Sequence, residues 1–306
     1  MPEPRVALLP EGVRPWLADA VVAGGGHLVG PADAEVLVWA EPAAPDELAV
    51  VLDEHEQLRW LQLPWAGVEI YSDVIAAHRD RIWTCGKGVY AEPVAELALT
   101  LLLAGRRGLA TFARATSWSP PWGENVLGAR VVVAGGGGIA ESFLRLLAPF
   151  GCDVTVVRRH PVAMPDATRV VGPDDLEVWL DGAHALVVAL ALTPETDGLV
   201  DRRRLDLLAD DGWLVNVARG RHVVTDDLVA ALREGALGGA GLDVTEPEPL
   251  PDGHPLWTLP NVLLTPHVGN TPAMAVPLLS ARITENVRRW TAGLPLLGPV
   301  DPGLGY

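Results

Sequence analysis

Four consecutive glycines at 135–138 separate two segments of different periodicity. This combination strongly restricts the folds that the chain can adopt. The segment before them, 131–134, is apolar and is typical of a buried strand, whereas the residues after them repeat with helical spacing. Gly135 allows a tight turn, Gly137 leaves room for a pyrophosphate against the backbone, and Ala140 is small enough for strand and helix to pack closely. A flexible glycine loop is the alternative. Strand, turn and helix in this order predict a dinucleotide-binding unit with phosphate at the helix N-terminus.

Apolar segments alternate with helical ones along most of the chain, which is typical of parallel sheets flanked by helices. In the N-terminal third the predicted strands are 6–10, 35–40, 58–64 and 81–86, followed by a helix at 91–107. In the second series they are 131–134, 153–157, 185–190, 213–217, 239–243 and 262–265. We therefore predict an α/β fold with doubly wound parallel sheets.

The charge balance narrows the range of partners. With 23 basic and 39 acidic side chains the net charge is −16, which argues against nucleic acid because phosphate binding needs a basic face. No apolar run approaches the roughly 20 residues of a membrane span, and the N-terminus lacks the features of a secretory signal. Two cysteines, Cys85 and Cys152, provide neither a disulfide framework nor a metal cluster. We predict a cytoplasmic protein that binds no metal, membrane or nucleic acid.

The end of the second strand of the glycine-containing unit, VTVVRRHP, predicts which dinucleotide binds. An NAD site has an acidic side chain about 20 residues beyond the glycines, where it holds the ribose hydroxyls. Arg158 and Arg159 stand there instead. Two guanidinium groups suit a 2′-phosphate, which an acid would repel. A solvated basic turn is the alternative, and the prediction is NADP(H) in preference to NAD(H).

Three charged residues later in the chain have the chemistry needed to reduce a 2-keto acid beside a nicotinamide. Arg219 in NVARG offers a planar fork that can grip a carboxylate. His267 in TPHVG can give or take a proton near neutral pH, and Glu248 in EPEPL can orient it and favour its protonated form. Arg219 is expected to end its strand at the carboxyl edge of the sheet, where open α/β sheets bind ligands.

Five motifs lie in order between Val131 and Gly269. They are GGGGIA (135–140), LTPETDGLV (192–200), LVNVARG (214–220), GLDVTEPEPL (241–250) and VLLTPHVG (262–269). In these motifs the chain resembles the D-isomer-specific 2-hydroxyacid dehydrogenases, and among them most closely the NADPH-dependent glyoxylate/hydroxypyruvate reductases. The resemblance implies reduction of a small 2-keto acid to the D-2-hydroxy acid by a homodimer.

The same resemblance implies the domain organisation. A flavodoxin-like substrate-binding domain is expected from residues 1–98 plus 274–306, because the last helix, 273–291, returns to the first domain in that family. A Rossmann dinucleotide-binding domain is expected from residues 99–273. The active site is then expected in a cleft between these two domains.

The resemblance also implies the catalytic roles. Arg219 would bind the substrate carboxylate and polarise the keto oxygen. His267 would donate the proton, with a glutamate as its partner. The family's glutamate is the one in the final E-P before an apolar residue, which selects Glu248, and Glu246 is the alternative.

The binding residues follow from the same motifs. Backbone N–H groups of Ala66, Gly67 and Val68 would hold the substrate carboxylate, and Trp65 beside them would narrow the pocket in favour of a small substrate. The residues expected to contact the cofactor are Gly135, Gly137, Gly138, Ile139, Arg158, Arg159, Thr193, Ala218 and Asp243.

Two other functions fit the same residues. One is a dehydrogenase of another 2-hydroxy acid such as phosphoglycerate, although the sequence shows no basic cluster dedicated to a substrate phosphate. The other is a non-catalytic dinucleotide-sensing protein on the same fold, because fold does not imply function. Turnover distinguishes them, since a sensor binds the dinucleotide without reducing keto acids.

Overall fold

The computed structural model describes residues 3–12, 14–41 and 43–303. The chain divides into two compact units. The first unit is formed by Met1–Tyr90 and Thr271–Tyr306, and the second unit by Ala91–Asn270.

The first unit contains a five-stranded parallel sheet. Its strands are β1 (Arg5–Leu9), β2 (His27–Leu28), β3 (Val36–Trp39), β4 (Trp60–Gln62) and β5 (Ile82–Thr84), in the order β2-β1-β3-β4-β5. Its helices are α1 (Trp16–Ala23), α2 (Pro45–Glu54), α3 (Ser72–Ala77) and the final helix of the chain, Pro272–Ala292, with 3₁₀ turns at Pro31–Asp33 and Glu69–Tyr71. This strand order is that of flavodoxin-like sheets.

A buried polar network ties the final helix to the sheet of the first unit. Asn286 donates to Gln62 Oε1 and to the Leu297 carbonyl, both at 3.0 Å, and accepts a hydrogen bond from the Leu297 N–H at 2.8 Å. Gln62 Oε1 also accepts from the Thr84 hydroxyl, which accepts from the indole N–H of Trp60, both at 2.8 Å. The network fixes the C-terminal segment against β4 and β5.

Replacement of Asn286 with leucine is expected to destabilise the first unit by about 3 kcal/mol, because each unsatisfied buried polar group costs about 1–3 kcal/mol. The variant leaves the N–H and carbonyl of Leu297 without their side-chain partner. Urea denaturation measures the change. Arg288→Leu, at an exposed position of the same helix, is the control and should stay within about 0.5 kcal/mol of the wild type. Equal effects of the two variants would contradict the prediction.

The second unit contains a seven-stranded parallel sheet. Its strands are β6 (Arg130–Ala134), β7 (Asp153–Val157), β8 (Arg169–Val171), β9 (Ala185–Val188), β10 (Trp213–Asn216), β11 (Gly239–Leu242) and β12 (Val262–Leu264), in the order β12-β11-β10-β9-β6-β7-β8. Its helices are α4 (Ala91–Arg106), α5 (Leu109–Phe112), α6 (Gly138–Leu147), α7 (Leu176–Leu180), α8 (Arg202–Leu205) and α9 (Thr225–Glu234), with 3₁₀ turns at Ala148–Phe150, Pro173–Asp175, Gly220–His222 and Pro255–Trp257. The strand order reverses between β6 and β9, and ligands of open α/β sheets bind at such a switch point.

Two glycines let the indole of Trp213 fit between α4 and the sheet of the second unit. A Cβ on Gly105 would lie 2.0 Å from the Trp213 ring, and a Cβ on Gly239 would lie 1.8 Å from it. Any side chain at either position would displace the ring. This packing holds α4 against β10 and β11, whose carboxyl ends carry predicted site residues.

The predicted α/β class with parallel, doubly wound sheets is confirmed. Two short strands, β2 and β8, were absent from the sequence analysis. Each lies at an edge of its sheet and has no fully buried residue, so it lacks the apolar run that identifies the other strands. In the described ranges no helix is long and apolar enough to cross a membrane. The domain limits at 98/99 and 273/274 stay a prediction.

Candidate active site

The glycine turn lies at the carboxyl end of β6, at the switch point of the second unit. Gly135 has φ of +121°, and a Cβ there would lie 2.2 Å from the Ala189 carbonyl oxygen, so a side chain is excluded. A Cβ on Gly137 would meet no other described atom within 4 Å, which leaves open space beside the N-terminus of α6. Gly138 and Ile139 form the first turn of α6, where backbone N–H groups suit a phosphate.

Two arginines follow β7 beside this turn. The Arg158 side chain lies against the glycines, because a Cβ on Gly136 would come within 2.7 Å of Arg158 Cδ. Arg159 is exposed and forms an ion pair with Glu195 at 3.9 Å. A hydrogen bond from the Thr193 hydroxyl, with a smaller effect of the Arg159 charge, lowers the pKa of the Glu195 carboxyl. The two guanidinium groups add positive charge at the end of β7, and that of Arg158 lies beside the glycine turn.

The loops after β9 and β10 place Thr193 and Ala218 at the same sheet edge. The Thr196 hydroxyl closes the first loop, since it accepts from the Thr193 N–H and donates to the Ala191 carbonyl, both at 2.8 Å. Ala218 is buried, and its N–H donates to Asn216 Oδ1 at 3.1 Å. Their roles toward a cofactor stay predictions.

His267 and Glu248 contact each other directly, with 2.7 Å between His267 Nδ1 and Glu248 Oε1. The side chains are 51% and 41% exposed. Because Nδ1 is engaged, Nε2 is the ring nitrogen left to face a substrate. Glu246, the alternative partner, instead accepts a hydrogen bond from the Thr225 hydroxyl through its backbone carbonyl at 2.6 Å.

Asp243 holds the turn that carries His267. Its buried carboxylate accepts hydrogen bonds from the Thr265 hydroxyl at 2.6 Å and from the N–H groups of Val268 and Gly269 at 2.8 Å. His267 has φ of +53°, in the left-handed region that residues other than glycine seldom adopt, and these bonds maintain it. The observed contacts of Asp243 are thus with the turn, and a contact with nicotinamide stays a prediction.

Arg219 lies on the loop after β10. The strand ends at Asn216, so the sequence-based placement of Arg219 at the strand end was wrong by three residues. The reason is a side-chain bond: Asn216 Nδ2 donates to the Arg219 carbonyl at 2.8 Å and turns the backbone away from the sheet. Arg219 Nη1 donates to the Ala218 carbonyl at 2.7 Å.

Gly220 brings the Arg219 loop into contact with the loop that leads to Glu248. A Cβ on Gly220 would lie 2.0 Å from the carbonyl carbon and oxygen of Thr245. No side chain can occupy that space without moving one of the two backbones. The positions of Arg219 and Glu248 are therefore mechanically linked through this glycine.

In the first unit, the loop after β4 contains Ala66, Gly67 and Val68. Their backbone N–H groups donate to no other described residue. Three adjacent open donors suit a carboxylate, which accepts several N–H groups at once.

The residue before these donors, Trp65, is held by an aromatic and a cationic neighbour. Its ring centroid lies 6.0 Å from that of Tyr90 and 5.2 Å from the Arg14 guanidinium carbon. Burial raises the pKa of the Tyr90 phenol, whose hydroxyl donates to the Pro64 carbonyl at 2.8 Å. Arg14 thus adds positive charge near this loop in a chain that is strongly acidic.

Neither Arg14 nor His222 was predicted from the sequence to be a site residue. Arg14 belongs to no motif, and only folding brings it to Trp65, so no local signal pointed to it. His222 stands three residues after Arg219, which is the spacing of a capping box, and its ring contacts the Arg219 backbone in that way. That spacing was a usable signal.

Comparison with known proteins gives consistent similarities. The family model described as D-isomer specific 2-hydroxyacid dehydrogenase, NAD binding domain, matches residues 99–269. The "uncharacterized protein in proB 3′ region" of Corynebacterium melassecola is 34% identical over 296 residues, which cover 94% of this chain and 95% of that protein.

Two further similarities come from named enzymes. Glyoxylate/hydroxypyruvate reductase A of Serratia proteamaculans (strain 568) is 37% identical over 175 residues, 57% of this chain and 55% of the reductase, so the match spans about half of that relative. The solved structure of a D-isomer specific 2-hydroxyacid dehydrogenase from Xanthobacter autotrophicus Py2, in complex with NADPH and MES, is 29% identical with a TM-score of 0.85 and covers 100% of both chains.

Proposed function

Since this chain belongs to the D-isomer-specific 2-hydroxyacid dehydrogenase family, we propose that it reduces a small 2-keto acid of the glyoxylate or hydroxypyruvate type to the D-2-hydroxy acid. The observation that carries the proposal is the 2.7 Å contact between His267 Nδ1 and Glu248 Oε1. Arg219 lies at the same sheet edge as this pair. The Serratia relative is a glyoxylate/hydroxypyruvate reductase, which supports glyoxylate and hydroxypyruvate as the class of substrate.

The proposed cofactor is NADP(H), with NAD(H) as the weaker alternative. The residues present fit it, because open space adjoins Gly137 at the N-terminus of α6 and two arginines follow β7. The Xanthobacter relative, solved with NADPH, supports the same choice. The residues that would hold the cofactor are Gly135, Gly137, Gly138, Ile139, Arg158, Arg159, Thr193, Ala218 and Asp243. When bound, the reduced nicotinamide supplies the hydride.

The protein's own side chains would provide the proton and stabilise the developing charge. Arg219 would grip the substrate carboxylate and stabilise negative charge on the keto oxygen. His267, protonated and oriented through Nδ1 by Glu248, would donate its Nε2 proton to that oxygen. In the oxidation direction the same nitrogen would accept the proton.

The substrate contacts predicted in the first unit remain part of the proposal. The open N–H groups of Ala66, Gly67 and Val68 would bind the carboxylate. Trp65, held by its contacts with Tyr90 and Arg14, would limit the size of the substrate side chain. A tryptophan at this position would favour a two- or three-carbon keto acid over a branched or aromatic one.

Initial rates of cofactor oxidation test the proposal. The purified protein is assayed with glyoxylate and with hydroxypyruvate, each with NADPH and with NADH. Turnover of either acid with NADPH preferred is the expected result. Dinucleotide binding without turnover of these or larger keto acids would replace the proposal with the sensor function.

Arg158→Gln is expected to raise the KM for NADPH about 10- to 100-fold, because a charged hydrogen bond is worth about 1.5–3 kcal/mol. The KM for NADH should change little, since that cofactor lacks the 2′-phosphate. Arg145→Gln, on the exposed face of α6 in an ion pair with Glu92, is the matched control. Equal changes in the KM for NADPH and the KM for NADH would mean that Arg158 does not bind the 2′-phosphate.

A cytoplasmic homodimer is proposed as the working form of the protein. Both cysteines, Cys85 and Cys152, are free, which supports a reducing compartment. Trp118 is fully exposed at 101%, and aromatic residues are enriched in interfaces. Light scattering after size exclusion should give twice the chain mass, and Trp118→Ser should shift it toward the monomer. Cell fractionation tests the location.

A further inference from the structure

We propose that His222 is a positioning residue that couples the loop after β9 to the Arg219 loop after β10. The imidazole is fully buried. Its Nε2 lies 3.3 Å from the Ala191 carbonyl oxygen, and its Nδ1 lies 3.2 Å from the Arg219 nitrogen and 3.0 Å from the Arg219 carbonyl oxygen. A single ring therefore contacts both loops. The inference rests on the proposed function, in which one loop serves the cofactor and the other the substrate.

The two ring nitrogens of His222 have different hydrogen-bonding roles. A carbonyl oxygen only accepts hydrogen bonds, so Nε2 must carry a proton to bind Ala191. In the neutral ring Nδ1 then accepts from the Arg219 N–H, and in the doubly protonated ring it donates to the Arg219 carbonyl. Both forms connect the same two loops, so the coupling does not depend on the charge of the ring.

The surrounding backbone makes this connection stiff. The His222 carbonyl accepts from the Val200 N–H at 2.8 Å, and Asn216 holds the Arg219 carbonyl from the other side. Ala191 lies two residues before Thr193, in the turn closed by Thr196. A shift of this turn would therefore move the Arg219 backbone, and a misplacement of about 1 Å in a substrate-positioning group can cost 100-fold in rate.

Two substitutions separate the two links. Asparagine places an amide near the position of Nδ1, so His222→Asn keeps a partner for Arg219 and loses the bond to Ala191. Glutamine places its amide nitrogen near the position of Nε2, so His222→Gln keeps the bond to Ala191 and loses the bond to Arg219. Both variants remove the same ring, so any general loss of packing should affect them similarly.

The expected result is a crossed pattern in the Michaelis constants. His222→Asn should raise the KM for NADPH about five- to tenfold, the worth of one hydrogen bond, and leave the KM for glyoxylate within about twofold. His222→Gln should do the reverse and also lower kcat, because Arg219 acts on the reacting carbonyl. Thermal melting of both variants shows whether their stability falls equally.

His184 provides the matched control. Its Nδ1 accepts a backbone hydrogen bond from the Arg130 N–H at 3.0 Å, at the opposite, amino edge of the same sheet. His184→Asn and His184→Gln should leave both KM values within about twofold, even where they lower the melting temperature.

Four outcomes overturn the inference or separate it from the proposed function. Equal changes of both KM values in the two His222 variants, or a fall in melting temperature alone, would reduce His222 to a structural residue. If the wild type binds NADPH without turnover, the proposed function fails, and fluorescence titration of NADPH still tests the Ala191 link: a Kd for His222→Asn within twofold of the wild type would overturn it. If no dinucleotide binds, both fail together.

Discussion

Replacement of His267 with asparagine is expected to lower kcat on the order of 10²–10⁴-fold, the range that a general acid contributes. Asparagine suits this test because it tolerates the left-handed backbone that His267 adopts at φ +53°. The variant should keep the turn held by Asp243 while it removes the Nε2 proton. Single-turnover rates with NADPH and glyoxylate measure the chemical step directly.

Folding and cofactor binding serve as internal controls for this variant. The Kd for NADPH should stay within about twofold and the melting temperature within a few degrees, because the imidazole is half exposed and stabilises little. A fall in kcat of less than about tenfold would remove His267 from the proton-transfer step.

The two glutamates of EPEP extend the test to the partner of His267. Glu248→Gln replaces the charge-assisted hydrogen bond to His267 with a weaker neutral one, so the imidazole is held less firmly and kcat should fall. Glu246→Gln is the matched control, because Glu246 contacts Thr225 only through its backbone carbonyl. Equal loss in both variants would contradict the pairing.

Replacement of Gly220 with alanine is expected to lower kcat/KM for the keto acid about 100-fold, the effect of a misplacement near 1 Å. The new Cβ would stand 2.0 Å from the carbonyl of Thr245, so one of the two backbones must move. Either movement would change the position of Arg219 relative to Glu248. Steady-state kinetics should show a raised KM for the keto acid together with a lowered kcat.

Gly172→Ala is the control for this second variant. Gly172 belongs to the same unit, has φ of −79°, and its added Cβ would meet its nearest neighbour at an ordinary 3.9 Å. It should leave kinetics unchanged. Retained NADPH binding by Gly220→Ala would show that the second unit is folded. A wild-type kcat/KM in that variant would disprove the linkage between the Arg219 loop and the loop that leads to Glu248.

Features that depend on neighbouring residues were predictable from the sequence. The glycine turn is set by strand, glycines and helix within about a dozen residues, and its geometry follows from the backbone freedom of Gly135. The buried strands were visible because a strand covered on both faces is apolar along its length. The short edge strands β2 and β8 were not, since neither contains a fully buried residue and neither carries such a pattern.

Contacts between residues distant in sequence depended on the tertiary structure. The motifs identified Glu248 and His267 as candidates, but only the fold shows Glu248 rather than Glu246 against the imidazole. Asp243 was expected to serve the cofactor, and the structure adds its three bonds to the turn of His267.

By itself, the sequence determined the α/β class, the glycine turn and the residue types available for chemistry, because these follow from local backbone freedom and from apolar periodicity. Only the tertiary structure decided which residues from distant parts of the chain meet: His222 with Ala191, Gly220 with Thr245, and Arg14 with Trp65. The physical reason is that hydrogen bonds and close packing act over about 3–4 Å, and spacing along the chain does not report distances of that kind until parallel strands bring their loops to one edge.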